Sequence, residues 1–155
     1  MTEAIEERLR AAGVSLPDAA APAANYVSYV LFGSMLQTSG QLPLDAGRIA
    51  VSGKLGADVA LEDGQRAARF CAINILAQAK AALGGDLGRI RRLLKLTVFV
   101  ASASTFTEQH KVANGASDFL VEILGDLGKH ARSAVGVPSL PLDAAVEIEA
   151  LFEIA

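Results

Sequence analysis

The stretch 90-IRRLLKLTVFVAS-102 decides the fold. Side chains alternate between the two faces of a strand. Leu94, Leu96, Val98 and Val100 therefore share one side, and Leu93, Phe99 and Ala101 share the other with Lys95 and Thr97. A strand that is largely apolar on both sides belongs inside a sheet covered on both faces.

Working outward, Thr105-Phe106-Thr107-Glu108 has the spacing of a capping box, and Val112, Ala116, Phe119, Ile123 and Leu127 recur at helical intervals after it. The segment 130-HARSAVGVPSLPLDAAVEIEALFEI-154 reads as two strands joined by a Pro-containing turn. Upstream, a helix is predicted over 65–83, closed by Gly84-Gly85. Residues 25-NYVSYVLFGSMLQTSGQLPL-44 read as a hairpin turning at Gly33-Ser34, and 45–64 as a long excursion. Residues 1–24 form a leading helix and a Pro/Ala linker. Thr2 is placed to cap that helix, Ile5 and Leu9 share a face, and Glu6 pairs with Arg10 at i,i+4.

The element order after that helix is β-β-α-β-α-β-β. This is an α+β domain over 25–155, with two long helices on one face of a mixed sheet. Two helices cover one face, and the short leading helix is too small to cover the other. Phe70, Ile75 and Leu76 also spread around the 65–83 helix instead of forming one stripe. The second face calls for another copy of the chain, so an obligate oligomer is expected.

The composition, 52% hydrophobic and 20% charged over 155 residues, fits one well-packed domain and argues against disorder. A net charge of -3 and a pI near 5.4 give no general attraction to nucleic acid or anionic membrane. The single cysteine, Cys71, rules out a disulfide framework and reads as buried packing. No secretory signal and no membrane-length apolar run stand out, so a cytoplasmic protein is expected.

Alternation points Arg132, Ala134 and Gly136 one way along their strand. Small neighbours leave room beside the guanidinium for a planar anion, and its fork suits a carboxylate. Glu147 and Glu149 lie on the polar face of the last strand, where a buried carboxylate acts as a base or holds a water. The same residues also allow an Arg–Glu pair that merely closes an edge or interface. Asn74 and Gln78 read as satisfying backbone groups, and Thr38 and Ser39 lack a histidine–carboxylate relay.

Tyr26, Gly33, 38-TSGQLP-43, 97-TVFV-100 and 131-ARSAVGVPSLPLDAAVEIEA-150 together resemble the Rid (reactive intermediate deaminase) family, also called YjgF, whose divergent branches are sometimes labelled endoribonuclease L-PSP. Arg69 and Asn74 also fall where that family places an Arg and an Asn. The resemblance implies a chorismate-mutase-like fold and a homotrimer with a central barrel and clefts between subunits. It implies that Arg132 binds the carboxylate of a 2-imino or 2-enamino acid while Glu147 positions the hydrolytic water. Tyr26, Gly40 and Ala134 would line the cleft, with no metal and no organic cofactor. The product would be a 2-oxo acid and ammonia, as for a 2-iminobutanoate/2-iminopropanoate deaminase. The chain departs from the usual pattern at Ala134, where many members have Cys, and at His130, where many have Pro. One extra residue in 109–120 leaves Asn114 only loosely matched.

Two other readings compete. The protein binds a small carboxylate at Arg132 without turnover, as a sensor or carrier. Alternatively it is a ribonuclease, with His110 and His130 as acid and base and Arg89, Arg91 and Arg92 holding phosphate. The acidic balance and the missing stacking platform count against the second. Chorismate mutase activity would rest on fold analogy alone.

Overall fold

Helix α1 (Thr2–Ala11) leads into an irregular segment and a hairpin, β1 (Tyr29–Phe32) and β2 (Met35–Thr38), in a computed structural model that describes residues 2–155. A two-residue-per-strand hairpin, β3 (Leu44–Asp45) and β4 (Arg48–Ile49), occupies part of the excursion. Then come α2 (Leu61–Ala82), β5 (Ile90–Ala101), α3 (Gln109–Leu124), β6 (Ala131–Val137) and β7 (Val146–Ile154). The main sheet has the order β1-β2-β7-β5-β6; β5 and β6 run parallel and the other pairs antiparallel. Consecutive β6 and β7 are thus separated by β5, and the loop between them crosses over that strand. The loop includes Leu142 and Asp143 at φ 58° and 57°.

Helices α2 and α3 cover one face of the sheet. On β7 that face is Val146, Ile148, Ala150, Phe152 and Ile154, all buried, while Glu147, Glu149, Leu151 and Glu153 turn away. Leu36, Leu96 and Val98 join the same core. Helix α2 ends as predicted, in a Schellman arrangement. Gly85 N–H donates to Lys80 O and Gly84 N–H to Ala81 O, with Gly84 at φ +65°.

Several local expectations are corrected. Helix α2 starts at Leu61, not 65: Gly64 N–H already donates to Ala60 O at 3.0 Å, and Gly64 packs against Leu55 within the first turn. Helix α3 starts at Gln109, and no side chain caps it. The Thr105–Glu108 spacing is spent on a turn in which Phe106 N–H donates to Ala103 O. A register shift between Leu93 and Lys95 moves Leu93 onto the buried face and leaves Leu94 partly exposed. Thr2 lies inside α1 and its hydroxyl meets Asp86. The carboxylate of Glu6 pairs with Lys80 at 3.1 Å, and Arg10 reaches only the Glu6 carbonyl.

Helix α1 packs onto the helical layer, with Ile5 and Leu9 in the common core and Arg8 donating to Ile123 O. It leaves the second sheet face open. That face carries Val30, Phe32 and Val135, 53%, 80% and 47% exposed, around half-buried Phe99 and Leu151.

Candidate functional site

Arg132 lies on edge strand β6 opposite Leu96, on the helix-covered side. Its Nη1 donates to Asn114 Oδ1 (2.9 Å) and Ser117 Oγ (3.1 Å), and Nη2 donates to the His110 carbonyl (3.0 Å). Residues 110, 114 and 117 share one face of α3, so three acceptors pin the guanidinium. A guanidinium has five N–H donors. Nε–H and one Nη2 proton therefore remain without a partner among the described residues. Beside them opens a hollow of about 500 Å³ lined by Ser117, Val121, Lys129, His130 and Arg132.

His130 extends this chain of bonds. A carbonyl only accepts, so Nδ1–H donates to Gly128 O at 2.5 Å, and Nε2 accepts the Ser117 hydroxyl proton at 2.9 Å. Burial lowers the His130 pKa; the Gly128 bond opposes that, and the Arg132 charge adds to it. The neutral ring frees Ser117 Oγ to accept from Arg132. Ala134, two residues along β6, packs against the core on the same face.

Glu147 is on the opposite face. It pairs with Phe99 of β5 in a strand whose odd positions turn away from the helices. Its half-buried carboxylate makes no hydrogen bond or ion pair among the described residues. Burial, reinforced by the charge of Glu149, raises its pKa. Gly40 explains how close the chain comes: a Cβ there would lie 2.1 Å from Glu147 Oε1. Tyr26, whose hydroxyl accepts from Ala23 N–H at 3.3 Å, joins Ser28, Gly40, Gln41 and Leu142 around a cavity of about 200 Å³.

The raised pKa has a sign that melting experiments test. Above it, folding holds a carboxylate away from water; protonation at lower pH relieves that cost. Glu147→Gln is therefore expected to melt higher than wild type at pH 8, with the gap closing as pH falls through the raised pKa and gone below the ordinary carboxylate value of 4.5. A gap that is constant across that range would show that Glu147 carries no such penalty.

Arg132 and Ala134 thus stand on one face of the sheet, and Glu147, with Gly40 against it, stands on the other, with β5 between. Within one chain no Glu of β7 lies beside Arg132. Asn114, loosely matched by sequence, contacts Arg132 directly. Ser117 and the His110 carbonyl were not foreseen. Their i, i+4, i+7 spacing on α3 is the signal that identifies them.

The remaining candidates are structural. Asn74 donates to the carbonyls of Leu42, Leu44 and Phe70, and Gln78 to Ala20 O and Gln41 Oε1. Arg69 stacks over Phe119 at 4.7 Å and pairs with Glu122 at 3.9 Å. Cys71 is fully buried, its thiol directed at Val146 O and its pKa raised chiefly by burial. Arg89 donates twice to Ala155 O and Arg92 once to Lys129 O, so both guanidinium groups are engaged by main-chain carbonyls. Among the described residues no group of three or more His, Cys, Asp or Glu is placed to hold a metal, and no helix is long and apolar enough to cross a membrane.

This geometry has relatives. The structure of protein Atu1372 of Agrobacterium tumefaciens, of unknown function, is 53% identical; 99% of this chain and 94% of that one superpose with a TM-score of 0.94. Protein TCP17 of Trypanosoma cruzi is 51% identical over 151 residues, 97% of this chain and 94% of that protein. Escherichia coli TdcF, solved with bound serine, is 29% identical with a TM-score of 0.64 over 88% of this chain and 94% of its own. The family model described as "YjgF/chorismate mutase-like, putative endoribonuclease" matches residues 6–154. With that span matched, and with the mixed sheet, the helical layer and the β6–β7 arrangement all in place, the chain belongs to the YjgF/chorismate mutase-like family.

Proposed function

We propose that the protein hydrolyses 2-imino or 2-enamino acids to 2-oxo acids and ammonia in a cleft between copies of itself. The observation that carries this reading is the division of the two groups. A guanidinium with free donors is pinned on one sheet face, and an unpaired carboxylate of raised pKa sits on the other. Neither half suffices alone, and two copies seated with β6 of one against the Gly40–Glu147 side of the next would join them. A homotrimer whose open faces close into a barrel meets that need and covers the apolar second face.

In the step itself, Arg132 of one copy holds the substrate carboxylate. Glu147 of the next orients a water and takes its proton as the oxygen adds to the iminium carbon. Glu147 returns that proton to the nitrogen of the carbinolamine, and the C–N bond breaks to release ammonia as the hydroxyl gives its proton back to Glu147 and becomes the C=O of the 2-oxo acid. The iminium carbon is already electrophilic, so positioning supplies most of the acceleration. The serine in TdcF supports a ligand with an α-carboxylate and, having no imine, equally favours the second reading, binding without turnover.

Mixing tests the division. Arg132→Ala and Glu147→Gln are each expected to be inactive, while hybrid oligomers made by co-expressing the two regain part of wild-type 2-oxo acid formation. Hybrids confirmed by mass that stay as inactive as their parents would place both groups in one chain's site and overturn the arrangement. Wild type that forms 2-oxo acid no faster than buffer would leave binding alone.

A further inference from the structure

We infer that Ser117 and His130 complete the anion site begun by Arg132, and that this site takes up a small carboxylate together with a proton, which His130 keeps while the ligand is bound. The inference rests on the reading of Arg132 as the carboxylate anchor and adds the two residues that set its strength.

The donors that reach the hollow can be counted. Arg132 brings Nε–H and one Nη2 proton, and Ser117 and His130 line the same hollow. With a neutral ring, the Ser117 hydroxyl spends its only proton on His130 Nε2 at 2.9 Å, while its oxygen accepts from Arg132 Nη1 at 3.1 Å. Such a serine has no proton to give an anion. Protonation of the ring reverses that bond. Nδ1–H still donates to Gly128 O, Nε2–H now donates to Ser117 Oγ, and the two lone pairs of that oxygen are filled by His130 and Arg132. The hydroxyl proton is released and is free to donate to an anion in the hollow. One proton on His130 thus adds a third donor and a positive charge beside the ligand.

Without a ligand the protein resists that state. Burial, with the Arg132 charge in support and the Gly128 bond opposed, holds the His130 pKa below its ordinary value. An anion seated against Arg132 offsets the guanidinium charge that opposes protonation. Binding and protonation therefore favour each other, and the coupling is reciprocal. The other charged groups around the ring are engaged or turned away. Lys129, in the turn before β6, pairs with Asp126 at 2.8 Å. On β5, Arg92 donates to Lys129 O, and Lys95 is in register with Ala131, which faces opposite to Arg132. On α3, the side chains of His110 and Asp118 are exposed and Glu122 pairs with Arg69, so that helix lines the hollow with Ser117 and Val121.

Titration calorimetry with 2-oxobutanoate, whose carboxylate stays ionised from pH 5 to pH 8, tests this. The full chain carries Glu147→Gln, which removes the other titrating group of the proposed cleft. Affinity is expected to rise about tenfold as pH falls from 8 to 5, because an opposite charge nearby shifts a pKa by about one unit or more. Heats in buffers of different ionisation enthalpy should show uptake of about half a proton per site near the middle of that range, the amount a tenfold coupling requires. Adding His130→Gln should make the affinity independent of pH and remove the uptake. Adding Ser117→Ala should weaken binding more at pH 5 than at pH 8, which a residue that only shapes the hollow does not do. Equal weakening at both would overturn the role of the hydroxyl. An affinity flat in pH with no proton uptake, or a pH dependence that survives His130→Gln, would overturn the coupling. If binding is nonetheless lost in Arg132→Ala, the anchor stands, and a protein that binds 2-oxobutanoate at no pH would overturn both.

Discussion

Arg132→Ala should lower kcat/KM for imino-acid hydrolysis by about a hundredfold or more, because charge-assisted hydrogen bonds to a carboxylate are worth about 1.5–3 kcal/mol each and two free donors are lost. The fold should tolerate the change. The acceptors it leaves behind, Asn114 Oδ1, Ser117 Oγ and the His110 carbonyl, border an open hollow where water replaces the guanidinium. Arg132→Lys, which keeps the charge and loses the fork, should fall between the two. The measurement is the initial rate of 2-oxo acid formation beside a melting curve and a sedimentation profile. Unchanged turnover in a folded, assembled Arg132→Ala protein would remove this residue from the site.

The second large effect concerns assembly. Phe99 sits at the centre of the open face on β5, opposite Glu147 and near Glu149, so Phe99→Asp adds a third carboxylate to the surface that the proposed assembly buries. Sedimentation is expected to show dissociated chains, and turnover should fall with assembly because, on the proposed division, each copy keeps only half a site. An assembled and active Phe99→Asp protein would show that the copies meet elsewhere.

Most of the architecture could be read from local pattern. The period-two alternation of 146–154, the helical stripe of 112–123 and the glycine stop at 84–85 each depend on neighbours in sequence. What escaped the reading depended on partners far along the chain. Glu6 chose Lys80 over Arg10, Thr2 found Asp86, and Phe106 took a turn that a capping box would have straightened. The bulge at Leu93–Lys95 exchanged two leucines between faces, which no alternation rule anticipates. The site divides along the same line. The directions of Arg132 and Glu147 follow from their strands. Their separation does not, because sequence order gave no sign that β5 would lie between β6 and β7. The α3 acceptors likewise become visible only when the helix is laid across the edge strand.

The placement of Cys71 offers a practical handle. It is the chain's sole cysteine, sealed between α2 and β7 with no accessible surface. A thiol-reactive dye therefore finds nothing to label until that helix lifts from the sheet. The labelling rate of the unmodified protein becomes a clock for the opening of the helical layer, with no engineered reporter.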